Sequence, residues 1–230
     1  MKRAEIMALA SMTLLAVGCD MTEPVMARDE IGEPAVAASE AAAPQPAPTS
    51  AERENTELTC TYPVMAGDTE ASLRQRYGAA VQVTDLAGPE GTTLPGVILW
   101  LEDTERKVEV VFTSERLDRV DFVRANGPSQ WSLLGLRNHD SINVARSING
   151  RPFEFYGFGW DAGGEVADFR GGYFERLGDC RATMVLAFDY DLTQPPMSLV
   201  GDIPLMSDHA DIDEQLVYVD QIGVAFDPGY

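Results

Sequence analysis

The chain has 230 residues, with 37 acidic against 17 basic side chains and a formal net charge of −20 at neutral pH. A field of that sign repels nucleic acid and anionic headgroups, and it attracts cationic proteins or divalent ions. Hydrophobic residues make up 45 % of the chain, enough to build a core. In chain order, the first feature is a short positive region, Lys2 and Arg3, followed by the apolar run Ile6 to Val17 and then Gly18-Cys19. About 12 apolar residues cannot cross a hydrocarbon layer that needs about 20, so this segment predicts a secretion signal over 1–18 rather than a membrane span.

Leu15-Ala16-Val17-Gly18-Cys19 resembles the lipobox of bacterial lipoproteins, with Ala16 where that family prefers Leu. The resemblance implies cleavage before Cys19, acylation of its thiol and a protein anchored in the bacterial envelope, facing the periplasm. Two or more acyl chains make such anchoring stable, because each buried methylene contributes about 0.8 kcal/mol. Asp20 resembles the inner-membrane retention signal of enteric lipoproteins; the choice between the two membranes stays open.

Residues 19–56 are rich in Ala, Pro and Glu and hold no aromatic side chain. Such a segment cannot bury enough apolar surface to offset its ordering entropy, so it predicts a disordered tether spanning about 35 Å. The remaining chain, near 170 residues in length, suits one large domain or two small packed ones. Arg181 is its last Lys or Arg, and nine acidic residues follow before the end of the chain. With Cys19 assigned to lipid, Cys60 and Cys180 are left as an even pair in an oxidising compartment. A disulfide between them would close a loop of about 120 residues, worth roughly 4–5 kcal/mol in a loop-entropy treatment. Two isolated buried thiols are the alternative.

Two segments look alike. Asp68-Thr69 is followed by Gly78 and by the alternating Val81 and Val83; Asp140-Ser141 is followed by Gly150 and by Phe153 and Phe155. Each predicts a helix capped by a hydroxyl or carboxylate and closed by glycine, leading into a half-buried strand. Later apolar runs extend the match, at 97–100, 108–112 and 117–123 in one copy and at 166–169, 183–188 and 218–226 in the other. The expectation is an α+β fold of two tandem repeats, each a short capped helix followed by a three- to four-stranded antiparallel meander. The repeats would occupy 57–127 and 128–230, with an acidic insertion near 190–215 in the second. Gly67-Asp68-Thr69 with Tyr77-Gly78, and more loosely Asp140-Ser141 with Asn149-Gly150, resemble the helix opening and closure of SmpA/OmlA (BamE)-type assembly lipoproteins. The tandem arrangement resembles β-lactamase-inhibitor-protein repeats. Both resemblances imply a binding module and carry over no contact residue.

The most unusual local sequence is Gly157-Phe158-Gly159-Trp160-Asp161-Ala162-Gly163-Gly164. Interleaved glycines can present Phe158 and Trp160 to a partner with Asp161 as polar anchor, or they can form a bulged turn whose aromatics cap the core. The second candidate is the loop 207–214, with Asp208, Asp211 and Asp213. It lacks the glycine and the terminal glutamate spacing of an EF-hand, so it predicts a solvated acidic loop and no metal. His139 and His209 stand in no Ser-His-Asp or Cys-His spacing of motif quality, and no phosphate-binding glycine loop is present. The reading is a non-enzymatic, lipid-anchored binding module without cofactor, whose partner is an envelope protein, with inhibition of a cationic enzyme as its sharper form. It touches the membrane through its anchor only and binds no nucleic acid; its oligomeric state stays open. The rival is a hydrolase of cell-wall or surface polymers with Asp161 or Glu154 as its acid.

Overall fold

The computed structural model describes residues 55–226. The expected signal, Cys19 and all of the tether but residues 55 and 56 lie outside the described residues. No described helix is long and apolar enough to cross a membrane.

The first helix, α1 (Glu70–Tyr77), begins with reciprocal hydrogen bonds. Ser72 N–H donates to Thr69 Oγ1 at 3.1 Å and Thr69 N–H to Ser72 Oγ at 3.0 Å. That capping box satisfies two donors which helical geometry leaves without partners. Buried Asp68 braces it, accepting from Ser72 Oγ at 2.8 Å and pairing with Arg76. From α1 the chain forms four antiparallel strands in sequence: β1 (Val81–Ala87), β2 (Thr93–Leu99), β3 (Val108–Phe112) and β4 (Val120–Asn126). A short ribbon, β5 (Ser132–Leu133) with β6 (Leu136–Arg137), leads to α2 (Ile142–Asn149). Gly150 closes α2 at φ 77°, its N–H donating to Arg146 and Ser147 carbonyls. Only a residue without Cβ takes that left-handed conformation at little cost.

The second half departs from the expected repeat, and the two-repeat α+β reading is overturned. Strand β7 (Glu154–Tyr156) does not open a second meander; it leaves the main sheet and pairs with β8 (Val166–Asp168) and β10 (Pro204–Met206). Strands β9 (Arg181–Phe188) and β11 (Val217–Ala225) return to the first half's sheet, giving the order β1-β2-β3-β4-β11-β9. The fold is predominantly β, with one six-stranded antiparallel sheet shared by both halves. The physical reason is that similar helix-to-glycine segments and similar alternation specify local conformation, whereas strand partners are chosen by packing; the expected side-chain cap itself forms at Thr69 but not at Ser141, which makes no capping hydrogen bond. The residues 190–215 are no passive insertion either, because they supply β10.

Register shifts decide which face of the sheet becomes the core. Between Val219 and Gln221 the pairing of β11 with β9 skips one residue, Asp220. The skip puts Val217, Val219, Ile222 and Val224 on the same buried side despite the odd spacing. A second skip at Asp121 does the same for Val120, Val123 and Ala125 of β4. These residues join Val97, Leu99, Val108, Val110, Met184 and Leu186 in one apolar cluster that also holds Leu73 of α1 and Ile142 and Ala145 of α2. Fully buried Trp131 donates its indole N–H to the Arg106 carbonyl at 2.7 Å and lies 5.9 Å from the Trp100 ring.

The chain's entry is pinned twice. Leu58 N–H donates to the Ser132 carbonyl at 2.8 Å, and Cys60 lies at disulfide distance from Cys180, with Cα atoms 5.4 Å apart. The bond ties the entry segment to the start of β9 across a separation of 120 residues. Replacing both cysteines by serine is expected to lower unfolding stability by roughly 2–5 kcal/mol. A urea midpoint equal to wild type's would show that the bond contributes nothing.

Burial, partly offset by Arg76, raises Tyr77 from its ordinary 10.0 to about 12. Its hydroxyl donates to the Pro63 carbonyl at 2.6 Å. Because the folded state holds this proton more tightly, the associated stability is complete below pH 10 and is lost as pH rises toward 12. Denaturant titrations of wild type and Tyr77→Phe across that window are expected to converge as pH rises; parallel curves would contradict it.

Candidate interaction surface

The glycine-rich segment, read as either presenting its aromatics to a partner or capping the core with them, splits its two rings between opposite environments. At Gly157 a Cβ would lie 2.7 Å from the Gly201 carbonyl oxygen and 2.9 Å from that of Leu199, so only glycine permits the approach of segment 199–203. The contact is stitched by backbone hydrogen bonds: Gly157 N–H to Ile203, Phe158 N–H to Leu199 and Gly201 N–H to Phe158, at 2.8–3.0 Å. Gly164, at φ 81°, abuts β9 so closely that a Cβ would sit 1.8 Å from the Leu186 oxygen. Held between these contacts, Phe158 points inward. It is 3 % exposed and packs its ring 5.6 Å from Phe155 and 5.7 Å from Phe188. Phe158 therefore caps the core and presents no face to a partner.

Trp160 goes the other way and is 65 % exposed. It is not isolated. A Cβ at Gly201 would lie 3.9 Å from Trp160 Nε1, and one at Gly159 would lie 3.7 Å from Val200 and 3.9 Å from the Tyr190 hydroxyl. Trp160, Tyr190, Val200 and Ile203 thus border one strip. The segment that builds it also carries Leu192 at 71 % and Met197 at 83 % exposure. An exposed group of large apolar side chains on one segment is the surface signature of a contact site, whereas single exposed apolar residues are ordinary.

Carboxylates share this segment. Asp189, Asp191 and Asp202 lie on the same segment. Asp211 joins it from the 207–214 loop, accepting from Ser198 Oγ at 2.5 Å, next to Met197. The loop is held by its own turns: Asp211 N–H donates to His209 Nδ1 at 3.2 Å and Gln215 N–H to Asp213 Oδ1 at 3.0 Å. Asp208 faces elsewhere, beside Arg146 and Arg151 at the end of α2. Exposed Asp161 follows Trp160 and turns toward the open face of the sheet. Glu154, the other residue considered as an acid, pairs with Arg170 at 3.5 Å. Among the described residues no group of three or more His, Cys, Asp or Glu is placed to hold a metal ion.

The structure seats Trp160 beside Gly201, ties Asp211 to Ser198 of the same segment, and leaves Tyr190, Leu192, Met197 and Ile203 exposed along that segment, four residues which sequence reasoning did not select. Their signal was present but faint: large apolar residues in an acidic stretch, without the alternation that would place them in a strand. Comparison with protein-family models, with curated proteins and with solved structures returns no match.

The split between the two rings is measurable. Phe158→Ala is expected to cost about 3–5 kcal/mol of unfolding stability. Trp160→Ala is expected to stay within about 0.5 kcal/mol of wild type, because little of its surface is buried. Chemical denaturation of both variants checks the assignment, and a Trp160 variant as unstable as the Phe158 variant would contradict it.

Proposed function

We propose that this protein is a lipid-anchored binding module of the bacterial envelope that captures a positively charged partner protein through the Trp160 surface. The observation that carries this reading is the exposed apolar strip of Trp160, Tyr190, Leu192, Met197 and Ile203 edged by Asp189, Asp191, Asp202 and Asp211. Each part has a task. Large side chains that lose water against a complementary surface supply most of the affinity, often about 2 kcal/mol or more for a central Trp. The carboxylates select the partner's sign and speed encounter, and no Lys or Arg after Arg181 offsets them. The lipobox-like Cys19 and the Pro- and Ala-rich segment supply the anchor and the reach. A cationic envelope enzyme held inactive is the sharper form of this reading.

The test is a tagged capture from envelope extract with wild type and with the folded double variant Trp160→Ala, Met197→Ser. The expected result is a stoichiometric cationic partner that the double variant loses. Association with that purified partner is expected to slow markedly between low and physiological salt, because charges are screened over about 8–10 Å. Undiminished capture by the double variant would remove the Trp160 surface from the function. A partner of net negative charge would remove the electrostatic half.

A further inference from the structure

The face of the six-stranded sheet opposite the core is neither flat nor covered. Leu86, Val111 and Ala225 are buried there without belonging to the main apolar cluster. A cleft of about 620 Å³ opens on this face, between the β1–β2 turn around Pro89 and Glu90 on one side and the turn around Asp161 and Glu165 on the other. That volume falls within the range of sites that enclose a ligand.

Two glycines on this face are closely covered by their neighbours. At Gly223 a Cβ would meet the Val123 oxygen at 2.4 Å and Thr183 Oγ1 at 2.5 Å; at Gly96 it would meet Leu86 at 2.3 Å. Phe122, Leu94 and Val185 contribute apolar lining. Thr183 Oγ1 is buried and has no hydrogen-bond partner among the described residues.

Charge sets the ligand's sign. Glu90, Asp121, Asp161 and Glu165 line the cleft, against Arg124 and Arg181. Arg124 is already committed: its Nε donates to Glu109 at 2.7 Å and one terminal nitrogen to the Ala87 carbonyl at 2.8 Å. The balance is acidic on both walls over an apolar floor. Asp161, on the cleft wall, directly follows Trp160 in the chain.

We propose that the cleft binds an extended cationic peptide segment of the partner, with basic side chains on the wall carboxylates and apolar side chains over Phe122. This rests on the reading of the protein as a binding module for a cationic partner, and it adds the chemistry of the second contact.

The test titrates acetyl-Lys-Leu-Lys-Leu-Lys-Leu-amide into the full chain by calorimetry, at low and at physiological salt. Binding is expected to weaken about ten-fold or more in Asp161→Asn, Glu165→Gln. Two controls separate the cleft from general attraction to an acidic protein. Glu102→Gln, Glu115→Gln removes the same charge from exposed loops outside the cleft and is expected to change affinity by less than about two-fold. Trp160→Ala is expected to leave peptide affinity equally unchanged. No measurable binding, equal loss in the two charge-neutralised pairs, or loss on Trp160→Ala would each overturn the cleft assignment. These outcomes are independent of partner capture. Peptide binding can fail while the Trp160 surface still captures its partner, and it can succeed while capture is unaffected by the Trp160 and Met197 changes.

Discussion

Pairing of β11 with both β4 and β9 is the constraint on which the rest of this structure depends. Without it the first half would end as a four-stranded meander with a bare edge at β4, and the second half would have no sheet to join. The skipped residues at Asp121 and Asp220 make that pairing compatible with a single core. Strand alternation has period two, so an unbroken register would turn half of the buried valines of β4 and β11 toward water. One extra residue in each strand restores the parity. The extra residues are both aspartates, whose short charged side chains suit the solvent side.

Committing one face to the core leaves the other to be shaped by what surrounds it. The β1–β2 turn rises on one side and the Asp161–Glu165 turn on the other, so the remaining face is walled rather than flat. The ion pair between Arg124 and Glu109, both largely shielded from solvent, bridges β4 and β3 on this same face. It fixes a guanidinium over the sheet that would otherwise be free to neutralise the wall carboxylates.

The small sheet of β10, β7 and β8 has a different role. Strand β7 gives up a place in the main sheet and instead holds the outgoing segment 189–206 against the body through β10 and through the contacts of Gly157. That segment is therefore anchored at its end and along its middle while its large apolar side chains face outward. The arrangement keeps Trp160, Tyr190 and Met197 on a defined surface, which lowers the ordering entropy that a partner must overcome.

How much of this the chain alone could disclose follows the range of the forces involved. The cap of α1 at Thr69 and the glycine end of α2 at Gly150 are hydrogen bonds between residues a few positions apart, so local sequence specifies them. The acidic excess after Arg181 is a matter of counting, and counting alone leaves Cys60 and Cys180 as the cysteines among the described residues. Strand partners were another matter. Val81 with Val83, and Phe153 with Phe155, show the same alternation, yet the first pair enters the six-stranded sheet, while Phe155 lies in a three-stranded one and Phe153 just outside it. Nothing local separates them, because strand partners such as Leu205 for Phe155 are distant in sequence and chosen by packing. The same holds for the site. Phe158 and Trp160 are two residues apart in one glycine-rich run, and only the packing of Phe155 and Phe188 decides that the first ring is core and the second is surface. Sequence by itself determined the caps, the charge and the cysteine pair, which are short-range or compositional; tertiary structure alone decided sheet order, the cleft and which aromatic faces water, because burial is a property of the whole fold.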